Sequence, residues 1–155
     1  LQSIINPDDG IFSPPGDMPG RIREYCKKTG QHVPETEGEI VRCIFDSLAL
    51  RYRWTVNCID ELMGHKAPFI NIVGGGTKET YLCQFCADAC DRPVYAGPTE
   101  ATAIGNLVSQ LIAAGELKDI PEARHMIRNS FEIIEYHPKD TSIWDEGYAR
   151  FLKLL

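Results

Sequence analysis

The stretch Phe69-Ile70-Asn71-Ile72-Val73-Gly74-Gly75-Gly76-Thr77 constrains this chain more than any other. Phe69 to Val73 is a short apolar run rich in β-branched side chains, which fit a pleated, covered surface and predict a buried strand. Three glycines end it, and Lys78 to Cys90 reads as helix. Strand, glycine turn and helix in that order bring bare main chain and a helix N-terminus to the carboxyl edge of a sheet. Open α/β sheets bind ligands at that edge. Glycine permits positive φ and lets a flat ligand lie against the backbone. Two readings follow: a tight turn with no ligand, or the seat of a nucleotide. No G-x-x-x-x-G-K-S/T or G-x-G-x-x-G pattern is present, so a P-loop and a dinucleotide fold lack support.

The elements around this stretch follow from caps and periodicity. Residues 1–16 carry Pro7, Gly10, Pro14, Pro15 and Gly16 and read as an irregular surface segment, with Ile11 and Phe12 tucked beneath it. Asp17 caps a short helix with Pro19 in its first turn and Gly30 at its end. Thr36 and Glu39 form a T-x-x-E capping box. Apolar residues then recur at helical spacing from Ile40 through Ile44, Leu48, Tyr52, Val56 and Ile59 to Met63. That helix is roughly 40 Å long at 1.5 Å per residue. Pro93 to Ala96 is a second strand, Gly97-Pro98 breaks it, and Thr99 or Glu100 opens a helix through Ala114. Asp119 and Glu122 flank Pro121 at the start of another helix reaching about Asn129. Phe131 to Tyr136 is extended, and Asp140 to Leu155 closes as a helix with Ile143, Trp144, Tyr148, Phe151 and Leu152 inward.

The fold class is therefore α/β, helix-rich with a small parallel sheet. Residues 36–115 form an α-β-α-β-α core and 116–155 a helical extension. Two strands for at least five helices make a poor core, because parallel sheets are buried on both faces and usually wider. Partner strands are expected upstream of Leu1, and the opening Leu1-Gln2-Ser3-Ile4-Ile5, without Met, reads as mid-protein text.

A chain of 155 residues with 43% hydrophobic and 25% charged residues can build one soluble domain. The net charge of -6 opposes a nucleic-acid surface, and no apolar run approaches the ~20 residues of a membrane span. Six cysteines point to a reducing compartment, the cytoplasm, with mostly free thiols. Cys83, Cys86 and Cys90 fall on one helical stripe and pack as small hydrophobes. A closed zinc site needs four ligands and no fourth is near, so no metal residue is assigned. Cys86 with Cys90, and Cys26 with Cys43 if the early helices touch, could form disulfides. His32, His65, His125 and His137 show no ligand spacing and are expected to face solvent. Asp46 interrupts an apolar helix face. It is expected to be a buried carboxylate bonded to a backbone or hydroxyl group, or else part of an interdomain cleft wall. Gly105 costs its helix about 1 kcal/mol relative to Ala, which close packing against the glycine turn would explain.

Several segments carry a resemblance. Pro14-Pro15-Gly16-Asp17-Met18-Pro19, Cys43-Ile44-Phe45-Asp46-Ser47-Leu48-Ala49, Ile72-Val73-Gly74-Gly75-Gly76 and Ala96-Gly97-Pro98-Thr99-Glu100-Ala101-Thr102-Ala103-Ile104-Gly105-Asn106 together resemble the C-terminal third of an FGGY carbohydrate kinase. The match runs from about Asn6 to Tyr136 and is closest to members acting on L-rhamnulose, with xylulose, fuculose and glycerol types as alternatives. The resemblance implies part of an actin-like, ribonuclease-H-like ATPase domain that uses ATP and magnesium to phosphorylate a sugar. It also implies an N-terminal domain of the same protein as partner, and no catalytic residue is carried onto this chain. Gly75 is placed against the adenosine of ATP, with Gly74 and Gly76 shaping the turn and Thr77 and Glu79 completing the nucleotide set. Related kinases often have asparagine at the position of Glu79. An ionised Glu79 can only accept, as from an adenine N6 amino group. A scaffold module that kept the fold and lost the chemistry is the other reading, and a half-built sheet could pair the chain as a homodimer.

Overall fold

Local signals set most helix ends in this computed structural model of residues 1–155. Helix α1 spans Met18–Lys28, and the Asp17 carboxylate accepts from the Gly20 N–H at 2.9 Å. Helix α2 spans Glu37–Met63 behind a complete capping box. Thr36 Oγ1 accepts from the Glu39 N–H at 3.2 Å while the Glu39 carboxylate accepts from the Thr36 N–H at 3.0 Å. Gly64, at φ +70°, ends it. Strand β1 is Ile70–Ile72, a 3-10 turn covers Gly74–Lys78, and helix α3 is Thr80–Cys90. Strand β2 (Val94–Ala96), helices α4 (Ala101–Ala113) and α5 (Ile120–Ser130), strand β3 (Ile134–Tyr136) and helix α6 (Ser142–Phe151) complete the chain.

The sheet order is β1-β2-β3. β1 and β2 are parallel, with Ile70 opposite Val94 and Ile72 opposite Ala96. β3 adds an antiparallel strand, with Val94 opposite Tyr136 and Ala96 opposite Ile134. The expected parallel pair is thus part of a mixed sheet, and the cause is connectivity. One helix, α3, returns the chain so that β2 runs with β1. Two helices separate β2 from β3, so the chain re-enters at the carboxyl end of β2 and runs back along it.

Three apolar clusters hold the layers together. Ala49, Leu50, Ala89, Trp144, Phe151 and Ile4 join α2, α3 and α6 to the N-terminal segment. Ile5, Ile22, Tyr25, Cys26, Ile40 and Cys43 join that segment to α1 and α2. Cys86, Ala87, Cys90 and Val94 pack between α3 and the sheet, with Ile70, Ile72 and Val56 at their border. The cysteine stripe of α3 is therefore core. All six cysteines are free thiols, five of them buried. Cys26 and Cys43 share one of these clusters, and Cys86 and Cys90 another. The Cys86 thiol is pushed up by its bond to Cys90 and then by burial.

Two expectations are corrected. Ser3, Ile4 and Ile5 are buried, not superficial. The Gln31 carboxamide holds Ile4 as a neighbouring strand would, accepting from its N–H at 3.0 Å and donating to its carbonyl at 2.8 Å. The Ile5 N–H donates to Ser47 Oγ at 2.9 Å. On α6, Trp144 and Phe151 are buried, yet Ile143 and Leu152 are 43% and 47% exposed. Trp144, Tyr148 and Phe151 recur at i, i+4 and i+7, and that narrow stripe already covers the contact with α2 and α3, leaving its flanks in water.

Candidate functional site

The carboxyl ends of β1 and β2 each lead into a turn, and the two turns are bonded together. Gly74, at φ +80°, donates its N–H to the Pro98 carbonyl at 3.2 Å. Gly97 donates to the Ile72 carbonyl at 2.9 Å. Beneath the glycine turn, buried Thr77 donates its hydroxyl to the Gly74 carbonyl at 2.8 Å and meets Thr99 Oγ1 at 3.0 Å. The Cys83 thiol, 3.6 Å from the Gly76 carbonyl, closes the underside. Burial first, and then the charge of Glu79, pushes that thiol up.

Above the turn there is space. A β-carbon added at Gly75 would meet no heavy atom within 4 Å, and at Gly76 only the Ile72 side chain at 3.7 Å. Glu79 follows on the exposed side, donating its N–H to the Gly76 carbonyl at 3.2 Å and accepting from the Cys83 N–H at 3.0 Å through its own carbonyl. A cavity of about 540 Å³ borders the turn toward β3, lined by Lys78, Thr80, Thr99 and Glu132 among others. Bare main chain, an exposed carboxylate and an adjoining hollow, more apolar than polar in its lining, can receive a flat ligand that also hydrogen-bonds.

The structure thus collects Gly74, Gly75, Gly76, Thr77 and Glu79 on one turn, with Gly75 and Glu79 outward and the Thr77 side chain inward. Gly97, Pro98 and Thr99 form the second half of the site, which the sequence reading treats only as a strand break and helix start. The missed signal is repetition, since Ala96-Gly97-Pro98-Thr99 restates the strand, glycine and helix order. Thr99 does not cap α4, because its hydroxyl is engaged by Thr77, and Glu100 stands at the cap position without a side-chain bond.

Elsewhere, Asp46 is 2% exposed and lines a separate cavity of about 490 Å³ with Ser3, His32, Glu39, Arg42 and Cys43. Its partner is neither backbone nor hydroxyl: Oδ1 accepts from Arg42 Nε at 2.7 Å. A guanidinium one helical turn earlier reaches it first, lying 4.5 Å from the centre of the Phe85 ring. Burial raises the Asp46 carboxyl above its ordinary 3.8, with Arg42 opposing. Gly105 does not pack on the glycine turn, because it is exposed and an added β-carbon would meet nothing within 4 Å. The four histidines are exposed.

The fold is shared with the crystal structure of xylulose kinase from Rhodospirillum rubrum, with a TM-score of 0.59 and 21% identity over 80% of this chain and 25% of that one. Residues 2–114 match the FGGY family of carbohydrate kinases, C-terminal domain, and the chain belongs to that family. It is similar to the rhamnulokinase of Bacteroides thetaiotaomicron, 47% identical over 97% of this chain and 31% of the relative. It is also similar to that of Bacillus subtilis, 43% identical over 90% of this chain and 29% of the relative. The chain spans about a third of the length of these relatives.

Proposed function

We propose that this chain is the nucleotide-side, C-terminal part of a cytoplasmic kinase that transfers the ATP γ-phosphoryl group to L-rhamnulose, giving L-rhamnulose 1-phosphate. The observation that carries the reading is Gly75, whose main chain lies open at the carboxyl edge of the parallel pair with Glu79 beside it. The adenosine end of ATP lies across Gly75, and Glu79 accepts a hydrogen bond from the adenine amino group. These residues bind and orient. On this reading the chain carries neither the magnesium site nor the catalytic base, because it spans only about a third of the length of its relatives. Both belong to the part of a longer protein that this chain does not span.

The exposed surface supports the same reading. β1 pairs only with β2, so its other edge is bare. Ile59, Leu62 and Met63 on α2, with Phe69 and Val73 flanking β1, are 40–88% exposed, a face suited to further strands of the same protein. The test compares the intact kinase with its Gly75→Trp variant. A rise of tenfold or more in KM for ATP, with KM for the sugar changed less than twofold, is expected. Equal ATP constants would overturn the proposal and favour a scaffold.

A further inference from the structure

We infer that Thr77 and Thr99 are positioning residues for nucleotide binding, a hydroxyl latch that holds the glycine turn against the turn after β2; the inference rests on the reading of Gly75 as a nucleotide seat. Thr77 is 8% exposed. Its single hydroxyl proton goes to the Gly74 carbonyl at 2.8 Å, so Thr99 donates into the Thr77 oxygen across 3.0 Å. These two bonds close a ring with the Gly74-to-Pro98 and Gly97-to-Ile72 main-chain bonds.

The ring matters because of what it leaves free. Gly74 stands at φ +80°, and Gly75 and Gly76 carry no side chain to lean on a neighbour. A three-glycine turn has more conformational freedom to lose than any other sequence. Without a tether the ordering cost would fall on ligand binding, whereas a turn already held in place presents the Gly75 main chain at no further cost. The Thr77 side chain is the only one rising from the turn itself that bonds the second turn, and it binds at both of its hydrogen-bonding faces. It therefore supports Gly75 from beneath, while with Thr99 it also lines the hollow that borders the turn.

The test uses the intact kinase. Thr77→Val keeps the shape and removes the hydroxyl, Thr77→Ser keeps the hydroxyl, and Thr99→Val cuts the latch from the more accessible side while Thr77 stays bonded to Gly74. We expect KM for ATP to rise about five- to tenfold in either valine variant, with kcat and sugar KM changed less than twofold. Thr77→Ser restores ATP KM to within twofold of the parent, and the double valine variant is no worse than the worse single one, as two ends of one bond require. Should Thr77→Val fail to fold, Thr99→Val decides alone. Valine variants that melt earlier but keep the parental ATP KM overturn the latch, as does an equal rise in sugar KM. If Gly75→Trp weakens ATP while the valines do not, only the latch fails; if none of them weakens ATP, the nucleotide seat fails with it.

Discussion

A β-carbon on Gly97 would lie 2.7 Å from the carbonyl oxygen of Glu132, so the segment leading into β3 rests directly on a bare glycine. Gly97 also stands at φ +133°, where a side chain is strained whatever the space. Gly75 has neither constraint. Among the glycines of the site, Gly97 is therefore required by packing and backbone conformation, whereas neither demands a glycine at Gly75.

Gly97→Ala should consequently lower stability by about 2–4 kcal/mol, from backbone strain together with displacement of Glu132. Gly75→Ala should leave the melting temperature within a degree or two of the parent. Thermal unfolding of the two variants side by side checks this, and equal losses would contradict the assignment of roles.

Arg92 grips both carboxylate oxygens of Asp60, with Nη1 to Oδ1 at 3.1 Å and Nη2 to Oδ2 shorter, joining the end of α2 to the turn before β2. The Ala67 N–H adds a bond to Asp60 at 2.9 Å. Arg92 first, then Ala67, hold the Asp60 carboxyl below its ordinary 3.8. A depressed carboxyl contributes stability that is complete above 3.8 and is lost as the pH falls through the folded value. Asp60→Asn should lower the melting temperature at pH 7 and narrow its difference from the parent below pH ~3.5. A difference independent of pH would show that the carboxylate charge does not matter.

What was legible in the sequence was local. The Thr36–Glu39 box and the Asp17 cap each act within a turn of their own position, so residue type and spacing reveal them. The glycine turn is legible for the same reason, since all its members are consecutive. The burial of Ser3 to Ile5 was not, because the groups that pair its backbone are side chains on Gln31 and Ser47, far along the chain. The antiparallel course of β3 was hidden likewise, as strand direction depends on how many helices intervene. Thr99 and Glu100 could not be told apart as the start of α4, because Thr99's partner, Thr77, sits on another turn.

Gly105 gives a test of the opposite sign. It lies within α4, exposed and with open space where a side chain would go. Gly105→Ala in this chain should raise stability by about 1 kcal/mol, the difference in helix propensity. Thermal melting reads it directly, and a loss would show that the bare position is needed by something packed on it.

The thiols give a kinetic prediction. Cys58 is half-buried, and the other five are in the core. A bulky maleimide should label Cys58 first in the folded protein and reach Cys26, Cys43, Cys83, Cys86 and Cys90 only on unfolding. Mass spectrometry of peptides after timed labelling identifies the order. Early labelling of Cys86 or Cys90 would mean that the layer between α3 and the sheet opens readily.

Asp46 places a charge where its surroundings favour the neutral acid. Burial raises its carboxyl, and Arg42 opposes the rise through one bond from a side chain that is 52% exposed. A raised carboxyl contributes stability that is complete below 3.8 and is lost as the pH climbs through the folded value. At neutral pH the carboxylate therefore costs stability relative to an uncharged group of the same shape. Asp46→Asn keeps an oxygen for Arg42 Nε and removes that cost, so its melting temperature should rise relative to the parent from pH 4 to pH 7. Arg42→Met should do the reverse. It strips the buried carboxylate of its partner and the Phe85 ring of its cation, a loss of roughly 1–3 kcal/mol once the exposure of Arg42 is discounted. Stability falling equally in both variants at every pH would mean that the pair is held by packing alone and that the charge on Asp46 is well solvated.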